Sequence, residues 1–289
     1  MLILDSVLSI FSHILPLESF EPRFVRLALL ALLLLAPTAA TIGVQVVNHR
    51  LSFFSDAIGH SAFAGVALGV LMGVSPRIAM VAFGVLVGLL IMRLQQKGRL
   101  ASDTAIGVVF SAIVAFGLAI VSREPGLNNM LQQFLYGDIL TIEETDIVFL
   151  SLLAAANLVL QVFGYNSMVF CGFNDSLASA HGTRVVWWQN TLAVFVAGVV
   201  AFSVWAVGVL LVSALLVIPA AAARNFARSA AGMFWWAPVI ATTSGVVGLF
   251  ISMQDWAGTA TGATVILCSL VWFLFSVLYS SFRRARVTA

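Results

Sequence analysis

Charged residues are scarce in this sequence of 289 residues. Aspartate, glutamate, lysine and arginine together make up 9% of the chain, whereas hydrophobic residues make up 61%. Soluble globular domains carry about 25% charged residues, so the composition excludes a soluble fold. Apolar runs of about 20 residues recur along the chain, and each is long enough to cross a bilayer as a helix. We therefore predict an all-α, polytopic helical membrane protein.

Cysteine and lysine are also rare. Cys171 and Cys268 are the only cysteines, and they are too far apart in sequence for a disulfide framework or a cysteine-based zinc motif. Lys97 is the only lysine, and it is not part of the G-x-x-x-x-G-K-[ST] loop that holds the phosphates of ATP. The chain is therefore not predicted to hydrolyse ATP itself. Its net charge of +2 is too small for the basic surface that binds nucleic acid.

The apolar runs divide the chain into nine predicted spans. The break near Gly208 is the weakest, so eight spans are the alternative. An amphipathic segment at 1–23 precedes a transmembrane domain over 24–281, and a basic tail follows at 282–289. The predicted spans are residues 24–47, 51–73, 76–94, 104–122, 145–164, 185–205, 207–224, 232–252 and 260–281.

Two polar connections contain predicted helices that are too short to span. Residues 128–140, within the longest acidic loop, predict a surface or re-entrant helix. Residues 174–182, between the fifth and sixth spans, predict a short helix. Asn174 or Asp175 is its expected N-cap, and Gly182 is its expected stop.

Basic residues at the span ends predict the orientation of the chain. Arg50, the segment 93–99, Arg184 and Arg224 fall at alternate ends of successive spans, so they share one face. The positive-inside rule places that face in the cytoplasm. The C-terminus is then cytoplasmic and, with nine spans, the N-terminus lies outside.

The second span contains a carboxylate and an imidazole four residues apart. On a helix, Asp56 and His60 lie on the same face, with Cβ atoms about 5–6 Å apart. Together these ligand types suit a divalent transition metal. An ionisable residue within a span costs about 2.5–3.5 kcal/mol, which makes a functional role the first hypothesis. Two interpretations stay open: metal or proton handling, and a structural hydrogen bond or an interfacial carboxylate.

Three glycines follow in the same span at intervals of four residues. Gly65, Gly69 and Gly73 form a stripe nearly opposite the polar pair, since His60 and Gly65 differ by a rotation of roughly 140°. Small residues at this interval allow a neighbouring helix to approach closely in a membrane. We predict that the stripe is a packing surface.

Proline interrupts one later span, at Pro219. Proline removes one helical hydrogen bond and favours a kink. The residue is interpreted either as a hinge or as a static kink whose freed backbone groups are satisfied by neighbouring helices.

Six segments, in the order given below, resemble the permeases of zinc/manganese/iron-type ABC transporters. The resemblance covers residues 24–281. The segments are SFFSDAIGHSAFAGVALGVLMG, SDTAIGVVFSAIVAFGLAI, FLYGDIL, FNDSLASAHG, GVLLVSALLVIPAAAAR and GTATGATVIL.

This resemblance implies an inner-membrane permease of a binding-protein-dependent importer for zinc, manganese or iron. Such a permease works as a pair, expected here to be a homodimer, with two cytoplasmic ATP-binding subunits and an extracytoplasmic metal-binding protein. The metal is cargo, and no tightly bound cofactor is expected. Two copies of Asp56 and His60 at a two-fold axis would supply four ligands.

A partner that hydrolyses ATP needs a rigid contact on the cytoplasmic face. The short helix at 174–182 is the candidate, and the alternative is an ordinary loop between spans. The residues assigned to docking are Asn174, Asp175, Ser176, Leu177, Ala178, His181 and Gly182.

The alternative function is a metal carrier that acts alone, either coupled to protons or as a channel. Asp56 and His60 would serve that carrier equally well, and dependence of uptake on a separate ATPase would distinguish the two. An intramembrane metalloprotease is disfavoured because the four histidines do not form an H-E-x-x-H motif.

Overall fold

The computed structural model describes residues 22–97, 102–122 and 139–288, with side chains described as far as residue 283. Within these ranges every regular element is helical, and a single 3₁₀ turn lies at Ile139–Thr141. The helices are α1 (Arg23–Asn48), α2 (Phe54–Met72), α3 (Pro76–Lys97), α4 (Ser102–Val121), α5 (Glu144–Phe173), α6 (Asp175–Ala180), α7 (Val185–Val207), α8 (Val209–Phe226), α9 (Ala230–Ser252) and α10 (Thr261–Thr288).

Nine of the described helices are long and apolar enough to cross a membrane, which confirms the predicted all-α membrane fold. The weakest predicted break is also present. Gly208 alone separates α7 from α8, with φ 85° and ψ 159°, a backbone region that is essentially restricted to glycine. A residue with a side chain would therefore be strained at this joint.

Three predicted segments fall wholly or partly outside the described residues. They are the amphipathic segment up to residue 21, residues 128–138 of the short helix predicted over 128–140, and the side chains of the basic tail beyond residue 283.

The predicted end of the fifth span is wrong. The sequence analysis ended this span at residue 164, but α5 continues to Phe173 and is about 45 Å long at 1.5 Å per residue. The polar residues at 165–167 are followed by the apolar run from Met168 to Cys171. Helical hydrogen bonding therefore continues through the polar step.

Helix α1 lies at the centre of the bundle and contacts α5, α8 and α9. Ala28, Ala31, Ala36 and Ala40 are fully buried along its length. Because the attraction between helices in a membrane depends on close packing, small side chains favour such a central position. At Gly43, an added Cβ would lie 1.8 Å from the carbonyl oxygen of Leu216 in α8, so these two backbones touch.

The other spans form two groups around this centre. Helix α2 packs against α3 and α4, and α3 also contacts α7. On the other side, α8, α9 and α10 contact one another. Helix α2 also touches α8, where an added Cβ at Gly59 would lie 2.7 Å from Cγ1 of Val209. This contact joins the two groups next to the polar pair of α2.

Two arginines lie at the end of the bundle opposite α6, where α1, α3 and α5 begin. Arg23 forms an ion pair with Glu144. Arg77 lies 3.8 Å from Asp146, measured from Nη1 to Oδ1, and its guanidinium carbon lies 4.6 Å from the ring centre of Trp205. The sequence analysis did not count these arginines among the basic span ends. Their carboxylate partners offset the positive charge at this end.

Candidate functional site

Asp56 and His60 lie close to the start of α2. Asp56 is in the first turn of the helix and His60 is one turn further along. Both residues are half-buried. The ring of His60 meets the ring of Phe110 from α4 edge-on, with centroids 5.2 Å apart. Helix α4 therefore fixes one side of the imidazole.

The position of Asp56 reduces the cost of its charge. Helix N-termini carry partial positive charge, which stabilises a carboxylate in the first turn by about 0.3–1 kcal/mol. The cost expected for a carboxylate in the middle of a span therefore does not apply in full. The first turn of α2 is therefore a favourable position for a carboxylate.

The face of α2 that bears the polar pair is open at its two ends, whereas Ala67 between them is fully buried. Phe53, just before the helix, is 62% exposed and Leu71 is 54% exposed. At 100° per residue both lie within about 20° of His60 around the helix. We call Phe53, Asp56, His60 and Leu71 the open stripe. In the described part of the chain, no group of three or more His, Cys, Asp or Glu residues could hold a metal ion.

The three glycines of α2 do not share one role. An added Cβ at Gly65 would lie 2.9 Å from Cα of Met80, and one at Gly69 would lie 2.7 Å from Cβ of Ala79. Both glycines therefore lie directly against α3. Gly73 differs from the prediction, because it ends α2 in a left-handed conformation with φ 67° and no other described atom lies within 4 Å of its Cβ position.

The short helix α6 follows α5 almost without interruption. The side-chain oxygen of Asn174 accepts a hydrogen bond from the backbone N–H of Leu177 at 3.0 Å, so Asn174 is the N-cap. Gly182 has φ 80° and ends the turn. Ala178 is buried, whereas Leu177 is 46% exposed. The helix therefore rests on the bundle through one side and presents the other.

His181 stabilises the end of α6. Its Nδ1 lies 3.0 Å from the carbonyl oxygen of Leu177, and its ring meets Phe170 of α5 edge-on at 5.4 Å. Asp175, Ser176 and Leu177 are exposed. The seven residues assigned to docking therefore form one structural unit at the end of α5.

A polar cavity of about 790 Å³ lies beside α6. Its lining includes His49, Gln96, Asp175 and Gln189, which come from four different parts of the chain. His49 lies in the turn between α1 and α2, and burial lowers the pKa of its imidazole. The sequence analysis missed this cluster, because its members are scattered and carry no local motif.

Pro219 is buried in the interior of α8. The Gly43 contact lies one turn before it, at Leu216. A bend at Pro219 would therefore occur next to the point where α1 and α8 touch. The hinge role stays a prediction.

Residues 21–280 match the ABC 3 transport family. The chain belongs to this family. The predicted resemblance is thereby confirmed: the chain is an ABC importer permease, a multi-pass membrane subunit that is distinct from the ATPase.

Two curated proteins of the same kind are similar to the chain over nearly their full length. The high-affinity zinc uptake system membrane protein ZnuB of Haemophilus influenzae is 30% identical over 260 residues, which cover 90% of this chain and 97% of ZnuB. The manganese import system permease protein ScaB of Streptococcus gordonii is 28% identical over 255 residues, covering 88% and 90% respectively.

A solved structure is also similar to this chain of the ABC 3 transport family. PsaBC from Streptococcus pneumoniae, solved in complex with Fab, superposes with a TM-score of 0.77 at 27% sequence identity. The match covers 94% of each chain. The similarity to this relative therefore extends over most of the chain and is not confined to a single motif.

Proposed function

We propose that this chain is the inner-membrane permease subunit of an importer for a divalent transition metal ion: zinc, manganese or iron. It works as a pair, together with two cytoplasmic ATP-binding subunits and an extracytoplasmic metal-binding protein. Asp56 and His60 are the ligands on the ion path. The metal is the transported substrate.

The open stripe of α2 is the observation that carries this proposal. It presents a half-buried carboxylate and a half-buried imidazole next to the exposed Phe53, where the chain's own helices leave the start of this face uncovered. Two copies facing each other across a two-fold axis bring together two of each ligand. Such a set suits zinc and, with added water, manganese or iron. Two ligands per chain also suit a site that must release its ion.

Helix α6 supports the role of a cytoplasmic ATPase partner. It is short, capped at its start and closed by His181 and Gly182 at its end. The basic span ends that define the cytoplasmic face lie at the same end of the bundle, and the positive-inside rule then assigns the C-terminus to the cytoplasm. An exposed helix with fixed ends is suited to transmit force from a docked subunit.

The test measures zinc, manganese and iron in metal-starved cells by mass spectrometry. The cells express the chain with its candidate ATPase and binding protein, and the variants are Asp56→Asn and His60→Ala. Loss of a group that only hydrogen-bonds to a metal ligand lowers metal affinity by about 10–100-fold, so we expect loss of a ligand itself to lower accumulation of one metal by about tenfold or more.

Ser61→Ala is the matched control. Ser61 lies beside His60 on α2, but it is fully buried and donates its hydroxyl hydrogen to the carbonyl oxygen of Ile58 in the same helix. We expect this variant to accumulate metal like the wild type at equal membrane levels. Normal accumulation with Asp56→Asn and His60→Ala would assign the pair a structural role and refute the proposed ion path.

A further inference from the structure

The turn between α1 and α2 is short and closed by backbone hydrogen bonds. The N–H of Leu51 donates to Val46 at 2.9 Å, and the N–H of Phe54 donates to Leu51 at 2.9 Å. Arg50 adopts a left-handed conformation with φ 57°. Residues other than glycine adopt this conformation only at a cost in free energy. Because these hydrogen bonds hold the short turn in one conformation, a displacement of its first residue, His49, also moves the start of α2.

His49 also contacts α5 close to α6. Nε2 of His49 lies 2.9 Å from the carbonyl oxygen of Met168. Since a carbonyl only accepts hydrogen bonds, Nε2 carries the hydrogen and donates it. The ring lies against Gly172, where an added Cβ would be 3.1 Å from Cδ2 of His49. Gly172 precedes the N-cap of α6 by two residues, so the imidazole touches the last turn of α5, which leads directly into α6.

A second chain of contacts reaches α6 from the other side. Both carboxylate oxygens of Asp175 accept hydrogen bonds from Nε2 of Gln189 in α7, at 3.1 and 3.2 Å. The amide oxygen of Gln189 accepts a hydrogen bond from Nε2 of Gln96 in α3 at 3.2 Å. Helix α3 is the one that packs on Gly65 and Gly69. The first residue of α6 is therefore also linked to the neighbour of α2.

We propose that His49 is a positioning residue that joins α6 to the start of α2, so that movement of α6 reaches Asp56 and His60. The Asp175–Gln189–Gln96 chain holds the other side of α6 in register with α3. The inference rests on the proposed docking function of α6. It adds the route by which an ATPase controls the ion site, whose first ligand, Asp56, follows His49 by seven residues.

The experiment uses the complete complex of permease pair, ATPase subunits and binding protein in proteoliposomes. It measures metal imported per ATP hydrolysed, with zinc and manganese as the two probes. His49→Leu removes the donor, whereas His49→Gln keeps a side-chain N–H of similar reach. Thr191→Val is the control, because the hydroxyl of Thr191 donates only within α7, to Trp187 at 2.8 Å.

For His49→Leu we expect the imported metal per ATP to fall about threefold to tenfold, the range for loss of one hydrogen bond. ATP hydrolysis itself stays within about twofold of the wild type, because the exposed side of α6 is unchanged. His49→Gln keeps the amount of metal imported per ATP close to the wild-type value, and Thr191→Val leaves that amount unchanged. An unchanged ratio for His49→Leu, or equal losses of hydrolysis and import, would overturn the inference.

Gly172→Ala tests the same contact if His49→Leu fails to assemble. Its new methyl group displaces the imidazole by a few tenths of an ångström, so the ratio is expected to fall in the same direction. An unchanged ratio here also refutes the inference. Failure of the proposed function has a different signature, since the wild-type complex itself would then show no metal import that depends on ATP.

Discussion

Gly65 illustrates how one residue sets the distance between two membrane helices. An added Cβ would lie 2.9 Å from Cα of Met80 and 2.9 Å from Cβ of Phe83. Real Cβ atoms do not approach backbone atoms this closely, so α2 and α3 would have to separate. Gly65 lies nearly opposite the polar pair around α2, so this contact sets the packing on the side of α2 that faces away from the site.

We predict that Gly65→Ala lowers the unfolding temperature of the purified protein in detergent. Overpacking of a close contact typically costs about 1–3 kcal/mol. Gly107→Ala in α4 is the matched control, because no other described atom lies within 4 Å of its Cβ position. Alanine favours the helix there, so the unfolding temperature stays equal or rises slightly. A similar decrease for both variants would contradict the packing role of Gly65.

Asp56 shows which part of a site sequence spacing can reveal. The spacing of four residues places it beside His60, and the structure keeps both on one side of α2. Spacing alone does not give the depth of the pair or its neighbours. The contact of His60 with Phe110, fifty positions later, arises only when α4 folds against α2.

At the scale of elements, α6 depends on its cap because it has only six residues. A helix this short is unstable by itself in water. It is held by the Asn174 side chain, by the burial of Ala178 and by the contact of His181 with Phe170. Loss of the cap should therefore affect α6 far more than it affects a long span.

We predict that Asn174→Ala weakens binding of the ATPase subunit, measured as the amount that copurifies with the permease. Removal of an N-cap costs about 0.5–2 kcal/mol, which loosens the docking helix. Ser229→Ala removes an equivalent cap from α9, where Ser229 accepts a hydrogen bond from the N–H of Gly232 at 3.1 Å. This control should retain the ATPase. Equal loss in both variants would count against docking through α6.

Element boundaries were predictable wherever a local signal marks them. Pro76 begins α3, the side chain of Asn174 caps α6, and Gly208 separates two spans through its backbone conformation. The end of α5 was predicted too early because the polar residues at 165–167 suggest a loop. The apolar residues that follow them continue the helix. The contact between His49 and Met168 joins positions 119 residues apart, and no sequence pattern reports it.

At the scale of the whole molecule, the open stripe is the feature that calls for a second subunit. Phe53 is 62% exposed at the start of the stripe. Phe163 of α5 is more exposed, at 79%, but α5 carries neither of the two proposed metal ligands. The proposed pairing therefore predicts proximity at one of these exposed residues and not at the other.

We predict that Phe53→Cys forms a crosslinked permease dimer in membranes, in a background where Cys171 and Cys268 are replaced by alanine. Two copies that share a metal site hold their α2 helices close together, within reach of a short thiol-reactive crosslinker. Phe163→Cys in the same background should stay monomeric on a denaturing gel. A dimer with Phe163→Cys and none with Phe53→Cys would place the interface elsewhere.

The ion pair between Arg23 and Glu144 has a consequence for biosynthesis. The two residues are 121 positions apart, and ribosomes add roughly 5–20 residues per second. About 6–24 s therefore pass between synthesis of the arginine and synthesis of this glutamate. During that interval α1 enters the membrane without this contact, and α2, α3 and α4 are made before it can form. This ion pair can thus join α1 to α5 only after the start of α5 has been synthesised.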